Sequence, residues 1–158
     1  MESRCVSLWL CWAILLVVAS FCSNHAYAYA ETSYCGSEDS YAVKVNSVDI
    51  DPNPVVSGKP ATFTISATSE NGITGGKLTI EVFFYGIRVH TESHDLCTKT
   101  TCPVEQGSFT LTNSQSLPGF TPPGAYRIRM KMIDADDNVL TCIYIKFNIV
   151  HDSMISEI

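Results

Sequence analysis

The 158-residue chain lacks a long apolar run beyond its first thirty residues. No later stretch approaches the roughly 20 apolar residues that a membrane helix needs, so we expect the mature protein to be soluble. No stretch shows a capped apolar stripe with the helical period of about 3.6 residues, which argues against a helical fold. Internal repeats and low-complexity tracts are also absent.

Motifs for the common catalytic sites are absent as well. There is no G-x-S-x-G nucleophile motif, and the histidines beyond the first thirty residues are His90, His94 and His151. None of the three lies in a recognisable catalytic motif. An N-x-S/T sequon is also missing, so nothing indicates N-glycosylation. We therefore predict a protein that is not an enzyme and that uses no cofactor.

Positive charge is scarce, since the chain has 10 Lys and Arg residues against 16 Asp and Glu residues, and its formal net charge is -6. Proteins that bind nucleic acid or anionic membranes through charge carry an excess of basic residues. The acidic balance therefore argues against nucleic acid as a partner and against an anionic-membrane footprint. No feature requires more than a monomer.

An apolar run from Val6 to about Phe21 follows a short head that contains one arginine. Small residues come next, and "AYA" at 28–30 is an A-x-A cleavage pattern. The run is short for a membrane anchor, so we predict that residues 1–30 form a secretory signal peptide. This predicts the secretory pathway, with an extracellular, vacuolar or ER-lumenal destination.

Cleavage would leave about 128 residues, a length that fits one domain. We expect residues 31–150 to form this domain, because a chain of that size can bury a genuine core. The last residues, 151–158, are expected to form a frayed tail.

Three of the seven cysteines lie in the predicted signal peptide, which leaves Cys35, Cys97, Cys102 and Cys142. Four cysteines in an oxidising compartment predict two disulfides, with three possible connectivities. The stretch "CTKTTC", from Cys97 to Cys102, lacks the C-x-x-C spacing and the following helix of a redox site. Zinc would need two more ligands at local spacing. We therefore interpret this pair as a structural staple, which leaves the other two cysteines to tie the mature start to the last strand.

Two polar clusters invite a metal interpretation. On a strand, His90 and His94 would share a face with Glu92, and three aspartates crowd the turn at 134–137. An EF-hand loop needs a glycine and a final glutamate that are missing here, and acidic residues are common in hairpin turns. We interpret the first cluster as a polar outer face of a strand and predict no metal site.

Alternation of apolar and polar residues, with turn signals between the runs, dominates the rest of the chain. The stretches "ATFTISAT" (61–68) and "GSFTLTNS" (107–114) are candidate strands, and "AYRIRMKMI" (125–133) with "NVLTCIYIKFNIV" (138–150) has the pattern of a long antiparallel hairpin. Proline-rich loops separate the runs. Seven or so strands in this length predict an all-β fold, a two-sheet antiparallel β-sandwich.

The stretch "KLTIEVFFYGIRVH" is interrupted by Gly86. A glycine inside a strand pattern indicates a bulge or bend, which can swap the parity of the inward residues. Either Val82 and Phe84 or Phe83 and Tyr85 therefore face inward.

These pieces together resemble the ML lipid-recognition domain family. The resemblance rests on "YCG" at the mature start, "C-x4-C-P-V-E-Q-G", a proline-rich loop, "GAYRIRMKMIDADD" and "LTC", and it covers Tyr34 to Val150. Plant-type single-domain members, proteins named as phosphatidylglycerol/phosphatidylinositol transfer proteins and the lumenal Niemann-Pick type C sterol carrier belong to this family. The resemblance implies an immunoglobulin-like sandwich that holds a lipid in an apolar cavity between its sheets. It also pairs Cys35 with Cys142 and Cys97 with Cys102.

Met132 and Ile143 stand where the sterol carrier has tryptophans, so phospholipid is expected here at least as much as sterol. Lipid sites are mostly apolar, and flexible methionines suit them. The same alternation also describes a close-packed core, and the resemblance leads us to prefer a cavity. The predicted lipid-binding residues are Phe63, Ile65, Val82, Phe84, Ile87, Val89, Tyr126, Ile128, Met130, Met132, Ile143, Ile145 and Phe147, with Phe120 as a gate at the mouth.

Our leading hypothesis is therefore a secreted or lumenal lipid-binding and lipid-transfer protein that sequesters a phospholipid or sterol without a covalent step. The alternative is a recognition module in which lipid loading alters a surface that binds a membrane protein or receptor, in signalling or in stress and defence. Transient membrane contact fits both. A hydrolase built on a β-sandwich is a third hypothesis.

Overall fold

Nine β-strands and two 3₁₀-helices make up the part of the chain that the computed structural model describes, residues 30–152. The predicted tail beyond 152 and the predicted signal peptide, apart from Ala30, lie outside the described residues. Within 30–152 no helix is long and apolar enough to cross a membrane. The elements are β1 (Glu31–Tyr34), a 3₁₀-helix (Glu38–Ser40), β2 (Val43–Asp51), β3 (Val55–Val56), β4 (Pro60–Ser69), β5 (Gly76–Phe84), β6 (Ile87–Asp95), a 3₁₀-helix (Leu96–Thr98), β7 (Gly107–Ser116), β8 (Gly124–Asp134) and β9 (Val139–Val150).

The strands form two facing sheets. Sheet A has the strand order β1-β9-β8-β5-β6, with β3 added in parallel to β9, and sheet B has the order β2-β4-β7. The other pairings are antiparallel, so the predicted all-β, two-sheet antiparallel sandwich is confirmed. The sequence pattern missed β1 and β3, because four and two residues are too few to show alternation.

The alternation in β8 and β9 sets which side chains meet between the sheets. Tyr126 lies opposite Phe147 and Ile128 opposite Ile145, and all four side chains are buried. Inward residues of sheet B face them, so one buried apolar cluster joins both sheets. The removal of this apolar surface from water is the main favourable term for the sandwich.

Gly86 lies in a hairpin turn between two strands, and the expectation of a bulge or bend at this glycine is wrong. Tyr85 has φ 48° and Gly86 has φ 81°, so both residues adopt the left-handed conformation that tight two-residue turns require. The bulge lies between Val82 and Phe83 of β5, where the pairing with β6 shifts. Val82 and Phe84 keep the inward parity, because they lie opposite inward-facing residues of β8.

Both disulfides lie at the same end of the sandwich. Cys35–Cys142 joins the residue after β1 to β9, and Cys97–Cys102 closes the loop after β6, with S–S distances of 2.03 Å and 2.08 Å. The two pairings expected from the resemblance are confirmed. The β7–β8 loop, which contains Phe120, lies at the opposite end. The disulfide loop and Phe120 therefore do not border one opening at an end of the sandwich.

The outer face of sheet A is basic although the whole chain is acidic. Its strands alternate inward apolar residues with outward polar ones, and six of the ten Lys and Arg residues lie on this outward side. The net charge is thus unevenly distributed, and the expectation drawn from net charge alone does not describe this face. The six are Lys77, Arg88, Arg127, Arg129, Lys131 and Lys146.

Glu81 is the buried carboxylate at the centre of this face, with 6% of its surface exposed. It accepts a hydrogen bond from Arg88 Nη1 at 2.8 Å and pairs with Arg129 through its other oxygen. The hydrogen bond from Arg88, together with the contacts of Arg129, lowers the pKa of Glu81 despite its burial. A buried carboxylate with two cationic partners links three neighbouring strands, β8, β5 and β6.

We predict that Glu81→Gln lowers the free energy of unfolding at neutral pH by roughly 1–3 kcal/mol, because it removes the charge that two guanidinium groups face. A lowered pKa stabilises the fold above the ordinary glutamate value of 4.5, and this contribution is lost as pH falls through the folded-state pKa. The difference in the free energy of unfolding between wild type and variant, measured by urea unfolding, should therefore shrink as pH falls below 4.5. Glu105→Gln, at an exposed residue, is the control, and a difference that does not depend on pH would contradict the assignment.

The two disulfides should contribute unequally to stability. Cys35–Cys142 spans 107 residues of sequence and Cys97–Cys102 spans five. Loop-closure entropy predicts losses of roughly 4–5 kcal/mol for C35A/C142A and about 2 kcal/mol for C97A/C102A. Chemical denaturation of the two double variants measures this, and equal losses would count against the loop-length explanation.

Candidate functional site

The space between the sheets is lined by apolar side chains from both of them. The cavity that remains there has a volume of about 20 Å³. A water molecule needs roughly 10–15 Å³ of such space, whereas ligand pockets typically have about 300–1,000 Å³. The sheets are therefore closely packed in this conformation. The cavity is lined by Phe63, Ile65, Leu78, Ile80, Lys99, Leu111, Thr112, Asn113, Ile128, Met130 and Ile145.

Eleven of the fourteen predicted lipid-binding residues lie in or against the buried cluster between the sheets. Val82 and Phe84 are half-buried at its edge, and the other nine are buried. The structure thus brings these side chains together on the facing surfaces of the two sheets. The nine are Phe63, Ile65, Tyr126, Ile128, Met130, Met132, Ile143, Ile145 and Phe147.

The remaining three predicted residues are exposed. Ile87 is 69% exposed and Val89 55% exposed on β6, the edge strand of sheet A. Val89 has no partner across the pairing shift, since Val82 pairs with His90 and Phe83 with Arg88. Phe120 is 88% exposed in the β7–β8 loop. The structure places these three side chains outside the cluster between the sheets.

Sequence reasoning did not include six of the cavity-lining residues among the predicted site residues, and Thr112 of β7 is one of them. Leu78, Ile80 and Leu111 continue the inward alternation of β5 and β7, so the pattern was sufficient to find them. Lys99 and Asn113 carried no such signal, because one lies in the disulfide loop and the other is a polar residue of an edge strand.

Stacked aromatic side chains fill the gap at the end that carries the β7–β8 loop. The rings of Phe84 and Tyr126 lie 4.6 Å apart, those of Tyr126 and Phe147 5.8 Å, and those of Phe147 and Phe63 5.5 Å. The row crosses from sheet A to sheet B. Tyr126 Oη donates a hydrogen bond to the Pro122 carbonyl at 2.9 Å, and burial raises the pKa of this phenol. This end of the gap is therefore closed by aromatic packing.

The flank between the edge strands β6 and β7 has a polar border on the β6 side. His94 lies opposite Leu78 and Glu92 opposite Ile80, so these polar side chains share the inward face of sheet A. Our interpretation of this cluster as an outer face is therefore wrong. Glu92 Oε1 lies 3.2 Å from His94 Nε2, and Oε2 lies 3.6 Å from His90 Nε2. An edge strand accepts inward polar groups because they reach water at its open side.

Lys99 and Asn113 border the same flank on the β7 side. Lys99 Nζ donates a hydrogen bond to Asn113 Oδ1 at 2.7 Å, and the Lys99 carbonyl accepts one from Thr112 N at 3.2 Å. All three residues line the cavity between the sheets. The apolar gap thus opens toward a flank with polar groups on both sides, the arrangement typical of a site for an amphipathic ligand.

A larger groove of about 580 Å³ lies on the outer face of sheet A. Its lining includes Glu31, Phe83, Arg127 and Lys146. Arg127 lies over the Phe83 ring at 5.4 Å, and Lys146 pairs with Glu31 at 2.5 Å. This groove is part of the basic face and is not the apolar gap between the sheets.

The fold and the site together define the class of protein. It is an antiparallel β-sandwich whose apolar space between the sheets is bordered by polar side chains on one flank. A family model described as the ML domain matches residues 30–149. The chain therefore belongs to the ML domain family.

A Candida albicans phosphatidylglycerol/phosphatidylinositol transfer protein is similar to this chain in sequence, with 29% identity over 115 residues. The match covers 69% of this chain and 60% of that protein, so the chain spans less than two thirds of this relative. The solved structure of a Niemann-Pick type C2 protein from the Japanese carpenter ant has a TM-score of 0.61 at 14% identity, and covers 76% of this chain and 99% of that one. Chicken MD-1 complexed with lipid IVa has a TM-score of 0.50 at 16% identity, and covers 74% and 87%. These structures share the immunoglobulin-like sandwich fold.

The inner wall can be tested by overfilling it. Met130 is 1% exposed and Ile128 is 8% exposed, so Met130→Trp and Ile128→Trp would each place a large ring in a gap without space for it. We expect a loss of roughly 1–3 kcal/mol in the free energy of unfolding and weaker lipid binding, measured by denaturation and by titration with a fluorescent lipid. Val89→Trp, at an exposed residue of the edge strand, is the matched control. Folded Met130→Trp and Ile128→Trp variants that bind lipid as wild type does would show that the wall is assigned wrongly.

Proposed function

We propose that this protein binds a lipid between its two sheets and transfers it between membranes. The observation that carries this proposal is the apolar gap, lined from both sheets, that meets polar side chains along the β6–β7 flank. An amphipathic molecule matches that arrangement, because its apolar part fits the gap and its polar part fits the flank. The family and the name of the Candida relative support a phospholipid as the ligand, and a sterol is the second candidate.

Loading requires the sheets to move apart, since a cavity of about 20 Å³ holds no acyl chain. Opening at the flank between β6 and β7 breaks the hydrogen bonds that Lys99 makes with Thr112 and Asn113, and water can replace these bonds. We place the opening here because bonds donated by backbone N–H groups tie the sheets together on the opposite flank. There, Ala30 N donates to the Val48 carbonyl at 3.1 Å and Val45 N donates to Tyr34 Oη at 2.8 Å. Acyl chains that enter the gap leave water, at a gain of about 25 cal/mol per Å² of apolar area.

The mechanism is sequestration without a covalent step, so the protein acts as a carrier and not as an enzyme. Its compartment is extracellular or lumenal, in the secretory pathway, and residues 1–30 serve as the signal peptide. Two disulfides support this location, because such frameworks persist in oxidising compartments.

The basic outer face of sheet A also supports transient contact between the protein and membranes. Three of the six cations on this face, Lys77, Arg127 and Lys131, make no ion pair within residues 30–152 and can attract anionic headgroups, and this attraction weakens as salt rises. The face offers a surface for transient docking during transfer, or for an acidic partner protein in the alternative role as a recognition module.

Native mass spectrometry of the secreted protein tests the proposal. We expect a co-purifying lipid at close to one molecule per chain, identified after extraction, and transfer of that lipid between donor and acceptor liposomes. Met130→Trp serves as the binding-deficient comparison. Bound lipid without transfer would favour the recognition module, while turnover of an ester substrate by lipid-free protein would overturn the carrier assignment.

A further inference from the structure

We propose that Lys99 is the headgroup anchor of the site, and that its ammonium group binds the phosphate of a phospholipid whose acyl chains lie between the sheets. This inference rests on the proposed function and narrows the ligand from lipids in general to those with an anionic phosphate.

Lys99 is the one charged residue among the residues that line the cavity between the sheets. Its side chain is half-buried at the β6–β7 flank, where the apolar lining ends. A phosphate at this ammonium group would leave the attached acyl chains directed at the lining of Ile80, Leu111 and Met130.

The ammonium group of Lys99 is bonded to a neutral amide and not to a carboxylate. Nζ donates to Asn113 Oδ1 at 2.7 Å, and no ion pair joins it to an acidic side chain in the described part of the chain. By contrast, Lys59 pairs with Asp152 and Lys146 with Glu31 on the surface. A half-buried ammonium group without a counter-charge is available to an anionic ligand at the flank, which would form a charge-assisted hydrogen bond with it.

The disulfide loop holds Lys99 in place. Lys99 lies within the loop that the Cys97–Cys102 disulfide closes. Leu96, the residue directly before this loop, is fully buried. Asp95 Oδ1 accepts a hydrogen bond from Cys97 N at 2.8 Å, and Thr112 N donates to the Lys99 carbonyl at 3.2 Å. The disulfide and the Asp95 contact fix the loop backbone before a ligand arrives, and a preorganised group loses less entropy on binding.

The β6 side of the flank supplies complementary polar groups. His94 Nε2 is buried without a hydrogen bond, although Glu92 lies near it. The exposed imidazole of His90 can donate an N–H group to a headgroup oxygen, and Glu92 can accept from headgroup hydroxyl groups. The polar residues on this strand therefore suit a phosphate that carries a hydroxylated group.

The experiment compares phosphatidylglycerol with diacylglycerol that carries the same acyl chains. The two differ in the phosphoglycerol headgroup, so the ratio of their dissociation constants reports the headgroup contacts, and the change of this ratio in a Lys99 variant reports the anchor. We expect wild type to prefer phosphatidylglycerol over diacylglycerol, and Lys99→Met to show a roughly tenfold smaller preference. Lys99→Arg should retain most of the preference. Lys131→Met, which removes an exposed cation from the outer face, should behave as wild type does.

The assignment of Lys99 as the anchor would be overturned if Lys99→Met kept the preference for phosphatidylglycerol, or if wild type showed no preference. If circular dichroism shows that Lys99→Met does not fold, Lys99→Arg and Lys99→Gln are compared instead. A preference for phosphatidylglycerol that Lys99→Arg retains and Lys99→Gln loses would support the anchor, and a preference that both retain would overturn it. Inorganic phosphate is added in a separate arm, and strong competition by millimolar phosphate would show a free-anion site in place of a lipid headgroup site. Wild type that binds neither lipid would instead defeat the proposed function.

Discussion

The contact between the inner faces of the two sheets is the interaction on which the rest of this structure depends. It buries the apolar residues that stabilise the fold, and it also occupies the space that a lipid would fill. Because the remaining cavity is about 20 Å³, a lipid between the sheets requires that these surfaces separate. A lipid would thus replace one set of apolar contacts by another, which keeps the free-energy cost of opening small.

The two flanks of the sandwich differ in how firmly they are closed. Near β1, backbone and tyrosine hydrogen bonds connect the sheets, and Cys35–Cys142 fixes the chain before β2 to β9. Near β6 and β7, polar side chains on the inward faces of both edge strands replace the apolar contacts found elsewhere. The sandwich therefore has a tied side and a side that water and polar headgroups can reach.

The outer face of sheet A keeps its strands aligned while the inner face changes partner. Glu81 binds Arg88 and Arg129 across three strands, and Arg127 lies over the Tyr144 ring at 4.7 Å. These contacts do not depend on what fills the gap. The strands of sheet A are therefore held together on the face that points away from the gap.

The sequence by itself determined the long strands and the sandwich, because alternation over ten residues leaves few other solutions, and the resemblance to the family supplied the pairing of the four cysteines. It also identified most of the apolar lining, from Phe63 to Phe147. Only the tertiary structure decided that Val89 lies outside the lining, that Glu92 faces inward and that Lys99 borders the gap. Each of these depends on an edge strand or a cross-linked loop, where the pairing shift and the neighbouring sheet, and not the local pattern, set the direction of a side chain.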